Sequence, residues 1–583
     1  MKSALRPRSQ FPLLAALARA RVWPNVYDLI AFALLIAAAA LLAHGAAAAR
    51  DPLALLSQHP VSLDPSHLPE YALRTTLRMF AAMLASLLFT FLIATWAAKS
   101  RRAERIIVPA LDILQSVPVL GFLSFTVTFF LGLFPGRQLG AECAAVFAIF
   151  TSQAWNMAFS FYQSLRTVPR DLDEVSRGFG LSAWQRFWRL EAPFAAPGLV
   201  WNMMMSMSGG WFFVVASEAI TVGDTTVELP GIGSYLATAI ALKNFAAVGW
   251  AVAAMAVLIA LYDQLLFRPI VAWADKFRVE TTAGQQRPRS WVYEVARRTR
   301  LVKRALRPLA WLWQRAMRLR WHPRAVAAAP SAARAANWTD RLWLAVVLAI
   351  AVWGAWYAFD YGRQTLNGSD VAQAFGGALA TLLRVAVLIA IASLIWVPVG
   401  VWIGLRPRLV ARVQPLAQFL AAFPANVLFP VAVIAIVSTG ANPDIWLSPL
   451  MVLGTQWYIL FNVIAGASAF PTDLREASSV YRLRSWTWWR RAILPGIFPY
   501  YVTGALTASG GSWNASIVAE LVHWGDQRVQ AHGLGAYIAR ATEAGDFHRV
   551  MLGVAVMTLF VTLFNRAVWR PMYVYAERRL RLD

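Results

Sequence analysis

One cysteine, Cys143, is the whole thiol inventory of this 583-residue chain. That excludes an intrachain disulfide and any cysteine-cluster metal site. Charge is also scarce: 14% of residues are charged, against about 25% in a soluble globular protein. Lysine is nearly absent, with Lys2, Lys99, Lys243, Lys276 and Lys303 making the full set. None follows a glycine, so the Gly-Lys pair with which a P-loop reaches nucleotide phosphates is missing. No His-Glu-x-x-His or nucleophile-elbow pattern stands out either. The sequence therefore reads as a non-enzyme, with no catalytic residue, no cofactor and no metal site.

What the chain has in quantity is apolar length. It is 58% hydrophobic, with a mean hydropathy of +0.51. A bilayer core takes about 20 apolar residues per helix. Runs of that kind fall at 28–48, 76–98, 108–133, 141–162, 197–220 and 246–267. They return at 341–359, 380–404, 410–437, 446–468, 499–521 and 548–569. The expected fold is an all-α integral membrane protein of about twelve spans. The formal charge of +24 belongs to arginines beside these runs. Membrane proteins carry such residues on the cytoplasmic side, and nucleic-acid binding is not expected. Arg6, Arg8, Arg101, Arg170, Arg177 and Arg268 all fall on one side, which places both termini in the cytoplasm. Arg78 and Arg384 lie near the other ends of their helices, where long side chains are expected to snorkel. The first run is read as a retained helix, because further spans follow it.

The chain repeats itself. Glu174, Pro193, Trp211, Glu218, Gly231, Gly233 and Tyr235 recur as Glu476, Pro495, Trp513, Glu520, Gly533, Gly535 and Tyr537, at a constant shift of 302 residues. Upstream the shift is 306, as for Thr75 and Thr381, Arg78 and Arg384, or Pro118 and Pro424. A small deletion in the second copy reconciles the two. An even number of spans per copy makes this a parallel repeat, with a pseudo-two-fold axis along the membrane normal. The expected organisation is a cytoplasmic segment at 1–27, a first membrane domain at 28–278, a linker at 279–338 and a second membrane domain at 339–583. The linker is rich in arginine and interleaved with Trp291, Tyr293, Trp311, Trp313 and Trp321. It reads either as an amphipathic helix on the anionic inner leaflet or as a solvated connection.

Both copies carry a polar loop between their fourth and fifth runs. Asp171 with Glu174, and Asp473 with Glu476, have capping-box spacing. Gly180 suits a left-handed helix end, and Ser182 with Gln185 fits a second capping box. Pro193 is expected to stop the second short helix. Leu181 and Leu483 are apolar turn residues at the loop tip, suited to a groove in another protein.

Glu174-Val-Ser through Pro193, and Glu476-Ala-Ser through Pro495, resemble the EAA loop of binding-protein-dependent ABC importer permeases. The resemblance implies a coupling helix seated in a cleft of a separate cytoplasmic ABC ATPase dimer. Its loop residues would be Glu174, Gly180, Leu181, Glu476, Arg482 and Leu483. The second copy departs from the pattern by placing Arg482 where the first has Gly180, which suggests unequal docking. Leu114-Gln-Ser-Val-Pro118, Trp211, and Gly231-Ile-Gly233-Ser-Tyr235 resemble the nitrate/sulfonate/taurine-type permeases, here as two units fused in one chain. The resemblance implies a bacterial inner-membrane location, an external substrate-binding protein and a small anion as solute. A ferric-iron-type fused permease and a proton-coupled secondary transporter are the alternative readings.

Pathway candidates follow from position. Glu218 and Glu520 are acids at the ends of apolar runs; a solvated acid at the outer interface is the plain alternative. Pro118 and Pro424 interrupt helices. Trp211 and Trp513 fit either a gate or an interfacial anchor. Asn156, Asn202 and Ser206 are candidate cavity-lining residues of the first copy.

Overall fold

The computed structural model describes residues 26–33, 36, 61–222, 225–277, 290–318, 345–346, 348–349, 352–354, 356–357, 360–483 and 485–579. Most of the expected first span at 28–48, most of the seventh at 341–359, the segment before residue 26 and both ends of the 279–338 linker lie outside the described residues. The chain divides into two compact units. The first gathers Met1–His44, Val168–Pro197 and Asp263–Ala325. The second holds Gly45–Thr167, Gly198–Tyr262 and Val326–Asp583.

Among the described residues, five helices are long and apolar enough to cross a membrane: Pro65–Lys99, Ala183–Glu218, Phe245–Phe277, Gly368–Gly404 and Phe547–Ala576. Counting two bent helix pairs as one span each brings the number to seven, short of about twelve. The expected run at 108–133 is two helices, Arg101–Ser116 and Val119–Leu133. The run at 410–437 is bent by 72°, and the one at 446–468 by 44°.

Two features make these helices membrane-like. Phe80, Leu84, Leu88 and Leu92 are exposed at four-residue spacing on one helix. Phe375, Leu379, Leu383, Val387, Ile391 and Ile395 form the same outward stripe on its second-copy counterpart. Large apolar side chains facing outward in rows suit lipid, not water. The inward face of the second helix mixes small residues, Ala374, Ala378, Thr381 and Ala392, with Val385, Leu388 and Ile389. Close approach between neighbouring helices depends on glycine at two contacts. A Cβ on Gly504 would stand 2.7 Å from Tyr458 O, and one on Gly404 would stand 2.6 Å from the Ala467 Cβ. In lipid such packing takes over the role that apolar burial has in water.

Pro193 does not stop its helix. The chain runs through Ala183–Glu218 by way of a π turn at Phe187–Glu191. The same device precedes Pro269 (Asp263–Phe267), Pro495 (Trp489–Ile493) and Pro571 (Asn565–Trp569). Each turn ends two residues before its proline. Proline has no N–H to donate and clashes with the carbonyl four residues back. One wider turn removes the clash and lets the helix continue.

The structure departs from all-α in two small antiparallel hairpins. β1 (Ala219–Val222) pairs with β2 (Thr225–Glu228), with Ala219 opposite Glu228. β3 (Leu521–Trp524) pairs with β4 (Gln527–Gln530), with Leu521 opposite Gln530. The β3–β4 turn rests on the first copy. Gly525 N donates to Ile240 O at 3.1 Å, Lys243 pairs with Asp526 at 3.1 Å, and the Phe245 and Trp524 rings lie 4.6 Å apart.

Candidate functional site

The two polar loops share one geometry. Pro169 and Pro471 stand at the N-caps with φ/ψ of −56°/136° and −57°/136°. The helices Arg170–Gly178 and Thr472–Val480 follow. Each ends in a Schellman turn. Leu181 N donates to Ser176 O at 3.2 Å and Gly180 N to Arg177 O at 2.9 Å. Leu483 N donates to Ser478 O at 2.9 Å and Arg482 N to Ser479 O at 3.0 Å. Gly180 is left-handed, with φ +64°, as expected; Arg482 adopts the same region, with φ +48°.

Two expectations about the loops are corrected. Asp171 and Glu174 form no capping box, because the proline ahead of them takes the N-cap and starts the helix sooner. Glu174 and Glu476 are exposed, and the acid that bonds within the first loop is Asp173, to Arg177 at 2.8 Å and Arg186 at 3.3 Å. Leu181 and Leu483 are half-buried, since the Schellman turn folds its last residue back toward the helix. The exposed tips are Phe179 (80%) and Tyr481 (78%), two residues earlier in each copy. The second capping box is present: Gln185 N donates to Ser182 Oγ at 3.3 Å and Ser182 N to Gln185 Oε1 at 3.0 Å.

Arg482 offers a test of the turn. An L-residue in the left-handed region costs about 1–2 kcal/mol, partly offset by the greater freedom of glycine in the unfolded chain. Arg482→Gly is expected to stabilise the second loop by about 1 kcal/mol. Amide exchange across 472–488 should slow roughly fivefold; unchanged exchange would mean that the turn does not limit local opening.

Each copy also holds a buried acid–base cluster. In the first, Arg78 bridges two carboxylates. It donates to Glu142 through Nε and Nη2, both at 2.6 Å, and to Glu218 Oε1 through Nη1 at 2.7 Å. Thr75 Oγ1 donates to Glu218 Oε1 at 2.7 Å, and Gly233 N to Oε2 at 2.7 Å. In the second, Arg384 donates to Glu520 Oε1 at 3.0 Å and to Asp444 Oδ1 at 2.8 Å. Thr381 Oγ1 donates to Glu520 Oε1 at 2.8 Å, and Ala536 N to Oε2 at 3.2 Å. His532 N donates to Asp444 Oδ1 at 2.6 Å.

The clusters overturn the snorkelling expectation. Arg78 is 3% exposed and Arg384 12%, because each is held by two acids. Glu218 and Glu520, at 0% and 1% exposure, are not solvated at an interface either. Glycines shape the cradle: a Cβ on Gly231 would overlap the Glu218 carboxylate, and one on Gly533 the Glu520 carboxylate. Sequence reasoning passes over Glu142 and Asp444. The signal that could have found them is the 302-residue shift that relates them.

Trp211 and Trp513 are each 1% exposed, so neither is an interfacial anchor. Trp211 meets Tyr262 edge-on at 5.6 Å. Pro118 and Pro424 stand at helix breaks of identical geometry, φ −68° and ψ 117°. At the first break Val119 N donates to Asn514 Oδ1 of the other copy at 2.7 Å. Val554 Cγ2 would lie 2.7 Å from a Cβ on Gly121. The two copies therefore meet at the break. Asn202 Nδ2 donates to Ser160 Oγ at 2.6 Å and Asn156 Nδ2 to Ser206 Oγ at 3.1 Å, which ties neighbouring helices of the first copy together.

The family model described as "Binding-protein-dependent transport system inner membrane component" matches the chain twice, over residues 79–268 and 396–581. The chain belongs to this family. Two matches make it a fused pair of ABC importer permease units. The bicarbonate transport system permease protein CmpB of Synechococcus elongatus is 30% identical over 201 residues, which is 34% of this chain and 69% of the relative. The nitrate import permease protein NrtB of Leptolyngbya laminosa is 27% identical over 191 residues, or 32% and 64%. The glycine betaine/proline betaine transport system permease protein ProW of Escherichia coli is 31% identical over 158 residues, or 26% and 42%. The matched permease segments contain both polar loops and both hairpins, together with most of the two clusters.

Proposed function

We propose that this fused permease forms the solute pathway of an importer for a small anion, driven by a separate cytoplasmic ATPase dimer and supplied by an external binding protein. The observation that carries the reading is the pair of Schellman loops, each with an exposed aromatic tip, Phe179 or Tyr481. Two equivalent knobs on one chain suit two equivalent clefts on a dimer. The anion is suggested by the relatives named for bicarbonate and nitrate. The proposed topology keeps two sets of six spans in a bacterial inner membrane, with both termini cytoplasmic. The pathway follows the seam between copies beside Pro118 and Pro424. Glu218, Glu520, Trp211 and Trp513 support its walls from within.

Closure transmitted through both loops would rock the copies against each other at that seam. A proton-coupled carrier would need Glu218 and Glu520 open to the path. Their arginine, threonine and backbone partners occupy them instead.

Affinity purification of the full chain from its native membranes tests the coupling. Wild type should bring down a P-loop ATPase. The Phe179→Asp/Tyr481→Asp pair should lose at least tenfold of it, since truncating central aromatic anchors costs about 2 kcal/mol or more each. Equal recovery with both proteins would remove the loops from the interface.

A further inference from the structure

The linker between the copies is attached to the first loop. Trp184 Nε1 donates to Ala316 O at 2.8 Å and Gln185 Nε2 to Arg318 O at 3.1 Å, while the Trp188 and Trp313 rings meet edge-on at 4.9 Å. These contacts hold the C-terminal end of the helix Arg307–Met317. Further back, Arg300 N and Leu301 N both donate to Asp28 Oδ1 at 2.8 Å, and Lys276 lies over the Tyr293 ring at 5.1 Å. Lys276 is in the closing turn of the membrane helix Phe245–Phe277, so the linker begins where a span ends. Trp486, the second-loop counterpart of Trp184, is 68% exposed.

The rest of the linker helix is uncovered. Leu306, Leu309 and Leu312 share one face at helical spacing and are 51–63% exposed. Arg307, Arg315 and Arg318 share the opposite face, with Arg315 stacked over Trp311 at 5.1 Å. Glu294 is the last acid before Arg318, and eight basic residues follow it: Arg297, Arg298, Arg300, Lys303, Arg304, Arg307, Arg315 and Arg318. An apolar face backed by a run of cations, starting at the end of a span, matches an anionic bilayer surface.

We propose that the helix Arg307–Met317 binds anionic lipid headgroups and ties the first coupling loop to the bilayer. Lipid charge would then set the mobility of the first loop through Trp184 and Gln185. The proposal rests on the reading of the loops as coupling loops.

The test uses the full chain in nanodiscs, with the same lipid in both leaflets, so that it depends neither on orientation nor on an ATPase. An environment-sensitive fluorophore is placed on Leu309→Cys in a Cys143→Ser background. Spin-labelled lipid should quench it strongly in discs containing phosphatidylglycerol and weakly in phosphatidylcholine alone. Arg307→Gln/Arg315→Gln should weaken that quenching about tenfold. Amide exchange over 183–188 should slow in the anionic discs, and Trp184→Phe should abolish that response while leaving the quenching intact. Equal quenching in both lipids overturns the lipid contact, as does protection of the label only when an ATPase is added. Quenching without any change at 183–188 overturns the tie to the loop. Loss of the ATPase pull-down contrast would sink the coupling reading while leaving these fluorescence results standing.

Discussion

Arg78→Met is expected to be among the most damaging single changes in the molecule, lowering stability by about 3–5 kcal/mol. The substitution keeps most of the side-chain volume and removes the charge. It leaves Glu142 and Glu218 facing each other without the cation that bridges them. A buried charge left unpaired costs far more than the pair contributes when intact. Arg384→Met should cost less, because Asp444 keeps its bonds to His532 and is 35% exposed. Thermal unfolding in detergent, followed by loss of the monodisperse peak, gives the order. Adding Glu142→Gln and Glu218→Gln to Arg78→Met should recover most of the loss, since neutral amides do not repel. A milder effect from Arg78→Met than from Arg384→Met would show that the first cluster does not hold its copy together.

Gly231→Ala and Gly533→Ala are expected to cost about 3 kcal/mol each, through overpacking and displacement of the paired acid. Both glycines are extended, with φ/ψ of −178°/172° and −168°/171°. Any residue adopts that conformation, so backbone strain is no part of the cost. It comes from the added methyl, which would occupy the space of the Glu218 or Glu520 carboxylate. Gly249→Ala and Gly376→Ala are the controls. Both lie within helices with nothing within 4 Å of the added carbon, and should be neutral or stabilise by up to about 1 kcal/mol. The same unfolding assay separates the sets. If all four substitutions behave alike, the glycines at 231 and 533 serve no cradle.

Much of this was legible in the residues. The repeat located both loops, both acids and both helix breaks, because duplicated positions stand out against apolar background. Gly180 and the Ser182/Gln185 box were readable because local turn chemistry needs no tertiary information. What escaped depended on partners far along the chain. Arg78 reads as a snorkelling side chain because its acids, Glu142 and Glu218, lie 64 and 140 residues away. Glu142 sits in an apolar run with no local signal. Phe179 and Leu181 compete for the loop tip, and only the Schellman bonding decides which one folds back. The hairpins leave no signal in the sequence, because four-residue strands give too short a pattern to register.

The four π turns ahead of prolines also fix the rotational phase of the helices beyond them. A π turn holds about one residue more than the α turn it replaces, and each residue turns the helix by about 100°. Tightening Phe187–Glu191 to α geometry with every residue kept would therefore rotate everything downstream by about that angle. Trp211 would leave the interior, and the Glu218 carboxylate would swing out of its cradle. In this sense Pro193 acts across the whole length of its helix: by demanding the wider turn, it sets which side of the helix the acid faces.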